Sequence, residues 1–558
     1  MIDLSVEVPG ERLLGERYAQ LQAEFDKSEA PQAKRRVFDA WDATRRAWRS
    51  HANLTRLNYT LDTRREDCRA AISEIERRSP RVISLDSSMQ KRFLAPGARR
   101  PLETELGAQA FDLWSADVAA FDDALSADLV LEAETARKYV ELVSGVEVEF
   151  RGERKTLAAL GAFTRSSDRE TRHDAERARW KIFSDRREQL DAIYGDLVTL
   201  RDRMARKLGD ENYLALGYRR MHRVDYGPSD VARYRDEVVR VVVPAVRRLI
   251  ERLGRKAGFE RVYFWDEAVL GAGRSPVPQG DGAWVVARGV EALAAIDPAL
   301  GEFGRMMAER GLLDVVNRPG KAVGAYCTSF PTEKVPFVFA NFDGTRGDVK
   351  TLMHELGHAF QSWRSREKPL IDYLTPTLES AEIHSMSLEY LSWPEMGRFF
   401  GDRAADYRNE HLLDALLFLP YGVAIDHFQH LVYAQPSATP AERHEMWREV
   451  ERRYLPWRDY GDLEHPNRGG LWQEKRHVYS MPFYYIDYTL ALCCALQFWH
   501  RANNDRRDAL DAYVALCGRG GEAPFGELVR SAGLKSPFEP GTLEDVVASA
   551  EAVLTGTA

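Results

Sequence analysis

Long apolar runs are missing from this chain of 558 residues. A helix that crosses a membrane needs about 18 or more consecutive apolar residues. The longest candidates, 412–425 and 484–499, are interrupted by Asp414 and Pro420 and by Asp487. The start, Met1-Ile2-Asp3-Leu4-Ser5-Val6-Glu7-Val8, lacks the basic and apolar regions of a secretory leader. Cysteine is scarce: five residues, at 68, 327, 493, 494 and 517, odd in number and scattered. That argues against a disulfide framework and predicts reduced thiols in a cytoplasmic protein. Cys493 and Cys494 lie in an apolar stretch and read as helix core rather than metal ligands. Positive charge is not in excess either. A net charge of −8 gives no general attraction to nucleic acid, and basic clusters such as 151–155 and 201–207 read as solvated helix faces.

What is present is mostly helix. A composition of 44% hydrophobic and 29% charged residues is that of an ordinary globular protein. The length allows a large core and more than one domain. Segments 16–74, 112–145, 167–219 and 228–257 are rich in Ala, Arg, Glu and Leu with few breakers, and read as long helices. Gly- and Pro-rich punctuation predicts loops at 95–101, 269–282 and 465–470. Strands are few, the clearest near 146–149, 326–328 and 335–342.

One short stretch carries the chemistry: His354-Glu355-Leu356-Gly357-His358. On a helix, positions i and i+4 share a face, so the two imidazoles can converge on one metal ion. Glu355 stands about 100° further round and can approach a metal-bound water without ligating the metal. This is the HExxH pattern of zinc peptidases, with the Glu as general base. The bland alternative is a solvated His pair on an ordinary helix. Against it, Val349, Leu352, Met353, Leu356, Phe360 and Trp363 recur at helical spacing around the pair, and Thr345 or Asp348 can cap the start. Histidines set among those residues are buried, and buried polar groups need partners.

A catalytic zinc site usually takes three protein ligands. The extended pattern HExxHxxGxxH is excluded, because Gln361 and Arg364 stand where Gly and the third His belong. The next helical segment, 375–391, begins Thr-Pro and offers Glu379, Glu382 and Glu389. Each alone reads as a surface carboxylate. Glu382 and Glu389 lie two turns apart on one face, so one can bind the metal while the other orients a ligating His.

The pair His354 and His358 followed by Glu382 and Glu389 resembles the thimet oligopeptidase-like zinc peptidases. The runs 336–345 and 477–488 resemble its oligoendopeptidase F branch more closely. The resemblance implies that one zinc ion is held by His354, His358 and Glu382, with Glu379 as the rival third ligand and Glu389 holding a ligating His. It implies a mainly α fold: a large helical ellipsoid with a deep substrate channel and a small β-sheet beside the zinc helix. Residues 1–160 would form a helical N-terminal domain and 161–558 the catalytic domain. Segment 335–342, otherwise a buried strand, would be an edge strand holding an extended peptide, with Phe339 and Ala340 in contact with substrate.

The implied activity is endopeptidase action on short unstructured oligopeptides, with Glu355 assisting attack of zinc-bound water. The developing oxyanion needs hydrogen-bond donors. Tyr488 is the first candidate, then His477, with Tyr485 as a substrate contact; Tyr484, His384, His427 and His430 read as core or surface residues. A zinc carboxypeptidase on a similar helical scaffold is the alternative, and would need a cation for the terminal carboxylate; a non-catalytic peptide-binding protein has no use for an intact Glu355. Oligomeric state is left open.

Overall fold

The computed structural model describes residues 10–143, 146–271 and 275–556, and most of them are helical. Residues 1–8, the end of the 112–145 segment and part of the 269–282 loop lie outside those residues. No described helix is long and apolar enough to cross a membrane.

Helix α1 (Pro31–Leu61) belongs to an N-terminal bundle with its own core, where Trp41, Phe93 and Trp114 pack ring against ring. Leu370 and Tyr373, from far along the chain, close that core. The predicted loop at 95–101 is instead the start of a helix, Pro96–Leu106. Pro96 occupies the first helical turn, where a missing N–H costs nothing, so proline here initiates structure rather than interrupting it. The 465–470 segment is likewise partly helical, over Glu464–Asn467, before Gly469 turns with φ +84°.

Among the described residues, strands are confined to two small sheets. β1 (Glu147–Phe150) and β2 (Glu153–Thr156) form a hairpin. β3 (Leu313–Val316), β4 (Tyr326–Phe330) and β5 (Val335–Phe342) form a sheet in the order β3-β5-β4. β5 is therefore the central strand, parallel to β3 and antiparallel to β4. This corrects the expectation that 335–342 is the edge. Phe339 and Ala340 are fully buried, and the Ala340 carbonyl accepts a hydrogen bond from Lys321, so neither faces a substrate. The edge strands are β3 and β4.

From β5 the chain turns tightly into helix α2 (Arg346–Ser365). Thr345 caps it by accepting from the Gly347 N–H, and the Asp348 carboxylate accepts from the Asp343 and Gly344 N–H groups. Both predicted caps are thus used, and they fix the helix against the sheet. Helix α3 (Leu378–Leu391) crosses α2 at Gly357, where a Cβ would stand 2.6 Å from the Ser385 Cα and 2.7 Å from the His384 carbonyl oxygen. Only glycine lets the two backbones approach so closely. Helix α5 (Tyr485–Asn504) packs against α3, and helix α4 (Ala404–Ala434) packs against α5, where Gly422 meets the Thr489 side chain.

Candidate metal centre

The crossing of α2 and α3 sets the site. His354 and His358 present one face of α2, and the close approach at Gly357 brings Glu382 of α3 against them. Glu382 Oε2 lies 3.3 Å from His354 Nε2 and 3.4 Å from His358 Nε2. All three donor atoms fall within 4.8 Å of one another. A tetrahedral ion with metal–ligand bonds of about 2.0–2.2 Å has ligand–ligand edges of about 3.3–3.6 Å. The two distances from Glu382 match such edges. Glu379 is not part of this cluster; Thr377 donates to it, and burial together with the Asp487 carboxylate pushes its pKa up.

Behind His354 runs a chain of hydrogen bonds. His354 Nδ1 donates to Glu389 Oε1 at 2.7 Å, leaving Nε2 free to face Glu382. Glu389 Oε2 accepts from His411 Nε2 at 2.8 Å, and His411 Nδ1 accepts from Trp393 Nε1 at 3.1 Å. The indole can only donate, so it fixes the neutral His411 tautomer that donates to Glu389. Burial alone would raise the Glu389 pKa, but Lys350, His354 and His411 outweigh it and keep the carboxylate ionised. His354 shows the opposite balance: burial disfavours its charged form, while Glu382 and Glu389 raise its pKa well above the usual range. Two imidazoles among two ionised carboxylates leave negative charge that a divalent cation neutralises.

Glu355 is buried, and its Oε2 has no hydrogen-bond partner. Burial raises its pKa, and His354 and His358 oppose the rise. It lines a cavity of about 460 Å³ with His354, His358, Glu382, Tyr484 and Tyr488, walled on one side by β4. A second cavity of about 360 Å³ adjoins it, with an apolar floor of Met386, Phe418 and Leu492, and with His477, Tyr485 and Tyr488 in its wall. Tyr488 lines both.

The structure separates the tyrosines that the sequence placed side by side. Tyr484, read as core, donates its hydroxyl to Glu382 Oε1 at 2.6 Å and so holds the carboxylate. Tyr485 and His477 face the smaller cavity and pack on each other, ring centroids 5.4 Å apart. Burial, with Lys475 and Arg476, pushes the His477 pKa down to about 4, so the ring is neutral at neutral pH. His384 is fully buried, and His430 bonds Tyr218 deep in the core. His427 bonds Tyr454, away from the site. His411 escaped the sequence reading altogether; its one local signal was a position on an apolar helix.

A His-His-Glu cluster of two half-buried imidazoles and a buried carboxylate, with the unpartnered Glu355 beside it in a cavity walled by an edge strand, is the site of a metallopeptidase. The comparisons agree. The model of Peptidase family M3 matches residues 162–269 and 287–547, and that of the Peptidase M3 N-terminal domain matches residues 2–121. The structure of PZ peptidase A with an inhibitor is 40% identical with a TM-score of 0.95, covering 99% of each chain. A putative oligoendopeptidase F structure is 41% identical with a TM-score of 0.95, covering 99% of this chain and 98% of that one. An oligoendopeptidase F homolog of Mycoplasma pneumoniae (strain ATCC 29342 / M129 / Subtype 1) is 46% identical over 55 residues, 10% of this chain and 9% of that protein's length. The chain belongs to peptidase family M3, among the metallopeptidases of oligoendopeptidase F type.

Proposed function

We propose that the protein is a zinc endopeptidase that cleaves internal bonds of short unstructured oligopeptides. The spacing of the His354, His358 and Glu382 donors carries this reading. Two imidazole nitrogens and one carboxylate oxygen suit zinc, and a site with three protein ligands leaves a position open for chemistry. When bound there, zinc supplies Lewis acidity and a water acidified to near neutral pH.

The chain's own residues do the rest. Glu389 holds His354 in the tautomer that presents Nε2, and Tyr484 holds Glu382. Glu355 takes the proton of the attacking water and passes it to the departing amine. Tyr488, at the junction of the two cavities, donates to the carbonyl oxygen as charge develops on it. His477 and Tyr485 contact the substrate in the smaller cavity, whose apolar floor takes a side chain. The peptide lies extended along β4. In an antiparallel pair backbone groups alternate in direction, and Lys334 N–H bonds the Phe330 carbonyl within the β4–β5 turn. The Cys327 N–H and carbonyl and the Ser329 N–H therefore face away from β5, towards a peptide, while the Ser329 carbonyl is taken by Asn53.

The aromatic core of the N-terminal helices, which reaches Trp114, supports a helical N-terminal domain, and the start of the family M3 match at residue 162 supports its end near residue 160. Five free thiols suit a reducing compartment, the cytoplasm. The test of the metal assignment is zinc content after dialysis. Glu382→Ala and His358→Ala are expected to lose most of their zinc, and Glu379→Ala to keep it. Full zinc in Glu382→Ala would withdraw the ligand set.

A further inference from the structure

The wall of the larger cavity contains one cation that the proposed mechanism does not use. Arg49, on α1, lines it opposite the metal cluster, near Asn53, Thr328 and Ser329. The other lining residues that carry charge are His354, Glu355, His358 and Glu382, and Tyr326, Cys327, Tyr484 and Tyr488 supply its neutral titratable groups. Among the described residues Arg49 makes no hydrogen bond or ion pair. The carboxylate nearest in kind, Asp372, has both oxygens taken by Arg45, at 2.9 and 2.8 Å. Arg49 is exposed to solvent, yet enough protein surrounds it to lower its pKa by desolvation, with Asp372 opposing and Arg45 adding to the drop. That combination is what a cleft produces: water reaches the guanidinium, and little else neutralises it.

Its position along the cleft is set by three bonds between α1 and the β4 region. Thr60 Oγ1 meets the Tyr326 hydroxyl at 2.5 Å, Asn53 donates to the Ser329 carbonyl at 2.9 Å, and the Thr332 N–H donates to Ser50 Oγ at 3.0 Å. The helix therefore runs antiparallel to the strand, and Arg49 stands beyond its Ser329 end. A guanidinium held there, with no internal partner, matches a carboxylate on the bound peptide.

We propose that Arg49 is a specificity residue that recognises a carboxylate of the substrate at the Ser329 end of the cleft. This rests on the peptidase reading above. Antiparallel pairing is the commoner arrangement of strands. A peptide paired that way with β4 runs its N-terminal half towards Ser329, so the carboxylate is an acidic side chain upstream of the cleaved bond. Parallel pairing would instead bring the peptide's C-terminal carboxylate to Arg49.

The test uses the zinc-loaded full chain and five quenched fluorescent peptides built on one sequence. Three carry Glu, Gln or Lys upstream of the cleaved bond, and two carry a free or an amidated C-terminus. The kcat/KM ratio of Glu over Gln peptide is expected to be about 10–100, the range of one charge-assisted hydrogen bond. Arg49→Gln should bring the ratio to about 1, and Arg49→Glu should invert it in favour of a Lys peptide, which a misfolded variant could not do. A free-acid over amide preference that Arg49→Gln abolishes supports the same recognition with the C-terminus as its source. The proposal is overturned if neither carboxylate matters, or if the preference survives Arg49→Gln. The same ratios are read as Kd by fluorescence anisotropy in the Glu355→Gln background. A carboxylate preference in binding without any cleavage by the parent protein upholds Arg49 and removes the endopeptidase reading; cleavage without preference does the reverse.

Discussion

Tyr484 and Tyr488 are one helical turn apart, and their hydroxyls have different duties. Tyr484 is committed to Glu382, whereas Tyr488 opens to both cavities. Phe substitutions separate them, because each keeps its ring and loses one hydroxyl. Tyr488→Phe is expected to lower kcat by about 10²–10³-fold with little change in KM, the cost of one donor used in the transition state. Tyr484→Phe is expected to weaken zinc retention by about 10–100-fold, as for other partners of a metal ligand. Steady-state kinetics and chelator competition check the two; a kinetic defect in the Tyr484 variant with normal kcat for Tyr488→Phe would exchange their roles. At this scale the HExxH pair and the Glu382 and Glu389 candidates were legible, because helical spacing alone places them. The Tyr484 and His411 contacts were not, since they join residues 102 and 22 positions away in sequence.

Among the elements, the α2–α3 crossing decides whether a metal site exists. Gly357 sits inside the HExxH motif, where no ligand role requires it, and its value is the space it leaves for Ser385 and His384. Gly357→Ala forces backbone against Cβ, which no side-chain rotation relieves. The expected cost is about 1–3 kcal/mol of stability, as for other overpacked sites. Zinc affinity should fall with it, because Glu382 rides on the displaced helix. Thermal unfolding and zinc titration together check this; an unchanged Tm and affinity would mean the helices are free to separate. Both helices could be read from their apolar spacing and caps. Sheet order could not, although Val335–Phe342 carried a hint: its apolar run without alternation is that of a strand buried on both faces. The loop expected at 95–101 failed because proline was taken as a breaker where it stands in a first turn.

Across the whole molecule, the cavity is built from distant parts of the chain. Helix α1 supplies Arg49 and Asn53, the sheet supplies β4, and α5 supplies Tyr488. Local pattern has no access to such a meeting, so the sequence pointed to a metal and a base but not to the wall facing them. That wall also bears on the choice between endopeptidase and carboxypeptidase, because Arg49 would serve a carboxypeptidase only if the peptide ran parallel to β4. Mass spectrometry of one long unstructured peptide, digested by zinc-replete wild type and Glu355→Gln side by side, tests the central claim. The account predicts fragments from internal cuts by the wild type. The variant, with its full zinc, should work about 10²–10⁴-fold more slowly. Stepwise loss of residues from the C-terminus, or near-normal cutting by Glu355→Gln, would contradict it.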